Sequence, residues 1–194
     1  MSFKGKVVIT GHTVGLGKAF CEAFTAEGYE VIGYDITEGK DLTNAAVLFS
    51  LYDECKDAVV FVNNTFVGQN LSLMAVYREW KESDNHNRTI INIGSMVTTF
   101  GNSVSELPGP AMILKDYYQE KKLSDSICRT VNVGSPTGPY VMNVKPFWIA
   151  ETDRAIGKPD DHGMVEIPDL VNLAMYHWHN RDKYRVLEVS LGAP

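Results

Sequence analysis

The sequence predicts a doubly wound α/β fold, a mostly parallel sheet with helices on both faces. Short apolar runs alternate with stretches of helical spacing along the whole chain. The runs are continuous rather than alternating, as strands covered on both sides require. A glycine-rich turn joins the first run to the first helical stretch, where folds of this class hold their ligands.

The elements follow in order. Lys6 to Thr10 reads as the first strand, and from Gly15 the residues Leu16, Ala19, Phe20, Ala23 and Phe24 recur at helical spacing, with Gly28 as the stop. Glu30 to Tyr34 is the second strand, a helix is expected over about 43–54, and Asp57 to Val62 is the third strand. Gln69 to Glu82 carries Leu73, Val76, Tyr77 and Trp80 on one helical side, and Thr89 to Ile93 is the fourth strand. Pro108 or Pro110 opens a helix ending near Leu123. Ile127 to Val133 reads as strand five, Ile167 to His179 as an amphipathic helix, and Arg185 to Ser190 as a closing strand. The stretch 134–166 is rich in proline and glycine and reads mostly as loop, long enough to serve as a lid over substrate.

With 194 residues the chain predicts a single domain spanning 1–194. Hydrophobic types make up 44% and aromatics 10%, which excludes a disordered chain. A formal charge of -6 argues against a nucleic-acid partner. No apolar run reaches membrane-spanning length, and the start enters a strand pattern at once, leaving no room for a leader. Cys21, Cys55 and Cys128 stand far apart without metal-ligand spacing, so reduced thiols, a cytoplasmic location and no metal are expected.

The informative stretch is Thr10-Gly11-His12-Thr13-Val14-Gly15-Leu16-Gly17. A glycine turn opening a helix leaves backbone N–H groups free to hold a pyrophosphate, helped by the helix dipole. One glycine serves the tight turn, one the approach of the phosphate, and one the close packing of the helix. His12 is read for its backbone rather than its ring. Asp35 ends the second strand 24 residues after Gly11, where a carboxylate can accept both hydroxyls of an adenosine ribose. It would repel a 2'-phosphate, and no cation stands at Val14, Tyr34 or Ile36, so NAD is expected over NADP.

These residues resemble the short-chain dehydrogenase/reductase family, whose TGxxxGxG motif matches Thr10 to Gly17. Asp41-Leu42 resembles the family's pair flanking the adenine, and Val62-Asn63-Asn64-Thr65 its NNAG element. Gln69-Asn70-Leu71 resembles the helix start that carries an active-site asparagine. Ile91 to Ser95 resembles the strand ending in the catalytic serine, and Thr130 to Pro136 the strand-five RVNxxxPG signature. The resemblance covers nearly the whole chain. It implies a Rossmann-type fold and cofactor contacts at Gly11, His12, Thr13, Val14, Gly15, Leu16, Asp35, Asp41, Leu42, Asn63, Asn64, Lys115 and Pro136.

It also implies catalysis by a tyrosine with a lysine four residues on, aided by Ser95 and Asn70. A phenol is useless as an acid or base near neutrality unless a cation stabilises its anion. Lys115 best matches the family's spacing, but Ala111 stands where the tyrosine belongs. Two readings stay open: the register slides and Tyr117 works with Lys121, or the tyrosine is lost, which the spacing favours. Tyr140 is a further candidate to project over the nicotinamide. The expected function is an NAD-dependent oxidoreductase acting on a small alcohol or carbonyl substrate. The alternative is an NAD-binding protein without ordinary dehydrogenase activity. A homodimer or homotetramer is expected through the helices near 69–82 and 110–123.

Overall fold

Six parallel strands form one sheet in the order β2-β1-β3-β4-β5-β8 in the computed structural model of the chain. The structure describes residues 4–83, 87–99, 111–134, 138–146, 148–149 and 164–191. The strands are β1 (Lys6–Thr10), β2 (Glu30–Tyr34), β3 (Ala58–Asn63), β4 (Thr89–Ile93), β5 (Tyr140–Pro146) and β8 (Glu188–Leu191), with β6 (Trp148–Ile149) and β7 (Met164–Val165) as a separate parallel pair. The helices are α1 (Gly15–Ala26), α2 (Ala45–Cys55), α3 (Gln69–Glu82), α4 (Ala111–Gly134) and α5 (Ile167–His179). Among the described residues the sheet has one strand fewer on the β2 side than the 3-2-1-4-5-6 arrangement of dinucleotide-binding sheets, so β2 is its edge there.

Strand alternation sorts the core into two layers. Val7, Ile9, Val60, Val62, Ile91, Met142 and Val144 pack with Phe20 and Phe24 of α1 and Leu170 and Ala174 of α5. Val8, Phe61, Ile90 and Val141 face the other way, against Leu51 of α2, Leu73 and Trp80 of α3, and Cys128 of α4. The chain leaves β1 toward β2 on one side and is joined by β3 on the other. That reversal opens a crevice at the carboxyl ends of β1 and β3.

The α4 face of the sheet also carries a polar rung. Asn63, Asn92, Asn143 and Glu188 stand in register across β3, β4, β5 and β8. Asn63 Nδ2 donates to Asn92 Oδ1 at 2.8 Å, and Asn92 Nδ2 donates to Asn143 Oδ1 at 2.9 Å. Asn143 Nδ2 donates to Asp125 Oδ1 of α4 at 2.8 Å, and Lys145, 1% exposed, pairs with Asp125 Oδ2 at 2.9 Å.

Strand five departs from expectation. The residues Ile127 to Val133 are helical, because α4 continues to Gly134 with Lys121, Ser124, Asp125 and Cys128 buried at helical spacing. The strand beside β4 is Tyr140–Pro146, inside the stretch expected to be loop. Its interior Asn143 and Lys145 disguise it, since a doubly covered strand ordinarily reads as apolar. The lid expected over 134–166 therefore loses 140–146 to the sheet, while 150–163 lies outside the described residues. Among the described residues no helix is long and apolar enough to cross a membrane.

Removing the central rung tests its weight. Asn92→Ala strips partners from Asn63, Gln69, Ser124 and Asn143, and we expect a loss of about 3 kcal/mol in urea unfolding. A loss below about 0.5 kcal/mol, the range of an ordinary surface change, would show that the rung carries no such load.

Candidate functional site

The turn after β1 is stitched to the strands on both sides. Gly11 N donates to Tyr34 O of β2 at 2.7 Å. Thr10 Oγ1 accepts from Asn64 N at 3.0 Å and Thr65 N at 3.1 Å, and Asn64 Nδ2 donates to Gly11 O at 3.1 Å. Gly11 and Gly15 hold φ of 65° and 54°, a region side chains disfavour. A Cβ on Gly17 would lie 1.9 Å from Gly11 O, so only glycine lets α1 approach the turn. The N-cap of α1 is Val14, exposed and extended, and no side chain caps the first turn. The leading N–H groups of a helix have no partner within it, so this end has the donors and dipole that suit a phosphate.

Asp35 follows β2 and faces this turn. Thr13 Oγ1 donates to its Oδ2 at 2.8 Å, and Thr37 donates to its Oδ1 through N at 2.9 Å and Oγ1 at 2.8 Å. Burial pushes the Asp35 carboxyl up, but the hydrogen bonds from Thr37 and Thr13 outweigh it and hold the group below its usual range. Asp35, Asp41, Leu42, Gly11 and Thr65 line a cleft of about 240 Å³, together with Lys40 and Phe66. Asp41 accepts from Thr43 N at 2.9 Å and Thr43 Oγ1 at 2.8 Å, bonds that hold its carboxyl below the usual range. Lys40 is a cation that the sequence does not announce, since it lies outside positions 14, 34 and 36. Its Nζ donates to Gly33 O at 2.6 Å and sits 4.9 Å from the Tyr34 ring centre.

The other expected cofactor residues divide. His12 turns its ring onto Gly33, where a Cβ would lie 2.2 Å from it, and its Nε2 is 3.5 Å from Glu38 Oε1. Leu16 is a core side chain and meets the turn only through its backbone. Asn63 points into the polar rung and is fully buried, away from the cleft. The side chain of Lys115 and the whole of Pro136 lie outside the described residues. Since strand five is Tyr140–Pro146, the proline that closes it is Pro146, not Pro136.

Beyond the carboxyl end of β4, Ser95 is 5% exposed; its Oγ accepts from Val97 N at 3.3 Å. Lys121 is 3% exposed, and its Nζ donates to Ile93 O at 2.6 Å and to Gln69 Oε1 at 2.7 Å. Tyr117, one turn earlier, is half-buried, its ring 5.2 Å from that of Phe66 and 5.6 Å from Lys121 Nζ. Lys121 therefore sits below the strand that ends in Ser95, despite a spacing from Ser95 longer than the family's. Asn70 does not join this group. Its Nδ2 donates to Glu120 O at 3.1 Å and to the Glu120 carboxylate, and its Oδ1 is buried without a partner. Gln69, its neighbour, takes the place beside Lys121. Tyr140 lies at the amino end of β5, opposite the cleft, so it cannot overhang a nicotinamide. Among the described residues no cluster of His, Cys, Asp or Glu could hold a metal ion.

No family model matches the sequence, and no curated protein matches it. Solved structures match the fold over nearly its whole length. An alcohol dehydrogenase from the archaeon Thermococcus sibiricus, complexed with 5-hydroxy-NADP, is 17% identical with a TM-score of 0.70, over 99% of this chain and 97% of that one. A short chain dehydrogenase from Burkholderia cenocepacia J2315, in complex with NADP, is 17% identical with a TM-score of 0.71, over 97% and 88%. The 3-alpha-hydroxysteroid dehydrogenase from Pseudomonas sp. B-0831, complexed with NADH, is 15% identical with a TM-score of 0.68, over 96% and 94%. The chain has the fold of the short-chain dehydrogenases and reductases.

The depressed carboxyl of Asp35 sets a pH dependence. Its contribution to stability is present above the ordinary carboxylate pKa and is lost as pH falls through the lower, folded value. Urea unfolding between about pH 6 and about pH 3 should therefore show a shallower acid loss in Asp35→Asn than in the parent chain. Identical slopes would mean that the Thr13 and Thr37 bonds do not favour the charged form.

Proposed function

We propose that the chain is an NAD-dependent oxidoreductase acting on a small alcohol or carbonyl substrate, with Tyr117 and Lys121 as its acid–base pair. One observation carries the reading: Lys121 is buried against Ile93 O, two residues before Ser95, with Tyr117 one helical turn away. The glycine turn suits a dinucleotide, because Gly17 lets α1 close on the turn and no side chain caps the start of α1. In this reading Gly11 to Leu16 hold the pyrophosphate through backbone donors. Asp35 takes the adenosine ribose, and Asp41 and Leu42 flank the base.

When bound, the nicotinamide supplies or accepts the hydride. The residues of the chain manage the proton. Tyr117 gives it to, or takes it from, the substrate oxygen. A cation one turn along the helix stabilises the anion left on a phenol that has donated. Ser95 orients the substrate oxygen, and Gln69 holds Lys121 in place. Asp35 favours NAD by repelling a 2'-phosphate, and Lys40 does not offset it while its ammonium is committed to Gly33 O.

A second reading has its own support. Lys121 Nζ already donates to two oxygens in a buried position, as a scaffold lysine would. The chain would then bind NAD without ordinary dehydrogenase activity, in a regulatory or assembly role. Fluorescence titration with NADH and NADPH, followed by hydride exchange against a panel of alcohols and ketones, separates the two. The first reading expects tighter NADH binding and a turnover that falls about a hundredfold or more in Tyr117→Phe. NADH binding without turnover favours the second, and no binding of either nucleotide removes both.

We further propose a cytoplasmic homo-oligomer, built on α3 and α4, which pack side by side and expose Leu71 and Leu123. Light scattering at micromolar concentration should give a multiple of the chain mass; a monomer would overturn this.

A further inference from the structure

Two buried lysines meet the carboxyl end of β4, one from α4 and one from β5. Lys121 of α4 reaches Ile93 O. The stem of Lys145 crosses the face of Gly94, the residue before Ser95, where a Cβ would lie 3.0 Å from Lys145 Cγ and 2.7 Å from Asn143 Oδ1. Only Lys121 has a place in the reaction proposed above.

Lys145 belongs to a strand covered on both faces, where a charge is costly to bury. Its ammonium pairs with Asp125 Oδ2 of α4 at 2.9 Å and lies 3.4 Å from Glu188 Oε1 of β8, which Arg129 also meets at 3.3 Å. These two cations and two carboxylates balance, so the cluster does not call for an ion. A buried pair is often no more stabilising than apolar side chains of the same size. The asparagine rung does not require it either. An amide at 125 would accept from Asn143 as Asp125 Oδ1 does, at 2.8 Å, and would need no cation. What a carboxylate adds is a second acceptor oxygen, and that oxygen receives Lys145 and Thr98 together.

Thr98 lies in the turn that carries Ser95. Ser95 caps this turn: its Oγ accepts from Val97 N at 3.3 Å, and its carbonyl accepts from Thr98 N at 3.3 Å. Thr98 Oγ1 shares its one proton between Ser95 O, 2.9 Å away, and the Asp125 carboxylate, so one side chain both closes the turn and ties it to α4. Tyr117, Lys121 and Asp125 are spaced by four along α4 and share one face of it. The face that carries the phenol and its cation thus also seats the serine turn.

We propose that Lys145 and Asp125 are a positioning pair for Ser95. The ammonium holds the carboxylate, the carboxylate holds Thr98, and Thr98 sets the turn from which the Ser95 hydroxyl meets the substrate oxygen. Neither member of the pair touches substrate. That role rests on the reading in which Ser95 orients this oxygen. It places the pair in control of turnover and not of nucleotide binding, since the glycine turn is built without it.

The test follows hydrogen exchange of the amides of 96–99 in the intact chain, together with turnover. In Lys145→Met and in Thr98→Val these amides should exchange about tenfold faster, while those of 11–17 keep their rates. The double variant should exchange no faster than the faster single one, because both changes act through one carboxylate. Thr98→Ser keeps the hydroxyl and should keep the protection, and Glu188→Gln, which removes the other acid beside Lys145, should keep it too. In Lys145→Met and Thr98→Val kcat should fall about tenfold or more at an unchanged KM for the nucleotide. Unchanged exchange in Thr98→Val, additive loss in the double variant, or an equal effect of Glu188→Gln would overturn the proposal. Thr98 is half-buried, so its variants keep the test open if Lys145→Met fails to fold. A parent chain without turnover removes the acid–base reading and leaves the exchange result to decide the pair. Faster exchange at an unchanged kcat removes the pair and leaves that reading standing.

Discussion

Three asparagines on adjacent strands hydrogen-bond in a line through the middle of the sheet, and much of the structure is arranged around satisfying them. Each amide both donates and accepts, so Asn92 can join Asn63 to Asn143 only while β3, β4 and β5 stay in register. A slip of one residue would turn the amides to the apolar layer under α1 and α5. The line continues into charge at both ends. Gln69 bonds to Asn92 and accepts from Lys121 on one side, and Asp125 joins Asn143 to Lys145 on the other. A buried network of this kind stabilises only when every member is satisfied, and a half-made one is worse than an apolar core. It therefore selects one pairing of strands and one seat for α4.

That constraint bears on the candidate site. The glycine-turn end of the candidate site is made by backbone geometry: positive φ at Gly11 and Gly15, and the close approach at Gly17. The end near Ser95 is made by side chains that belong to the network or touch it. Lys121 reaches Ile93 O and Gln69, while Thr98 Oγ1 donates to Ser95 O and to the Asp125 carboxylate. The residues that fix the strand register thus also fix the segment bearing Ser95. The two ends rest on different physics, and a substitution can disturb one without the other.

The same division explains what was legible in the sequence. The glycine turn, β1, β2, α3, β4 and α5 are read from local signals, apolar runs and glycine positions, and they fall where expected. Strand five was not legible. Ile127 to Val133 is rich in β-branched residues, yet its neighbours Lys121, Ser124, Asp125 and Cys128 mark one face of a helix. The true strand hides behind Asn143 and Lys145, whose partners come from α4 and β8. No local pattern announces a buried lysine that is satisfied from far along the chain. For the same reason Gln69, buried against Lys121, was passed over for Asn70, which the structure ties to Glu120 instead.

Among the described residues β2 borders the sheet, and no described strand pairs with its far side. Such a rim invites another chain to pair along it and so to seed aggregation. Lys40 crosses it: the ammonium engages Gly33 O at 2.6 Å, and the stem covers the Tyr34 ring. A charged hook over an edge carbonyl is a recognised guard against strand addition. At this rim one edge carbonyl is already engaged, and a positive charge stands where an added strand would have to approach.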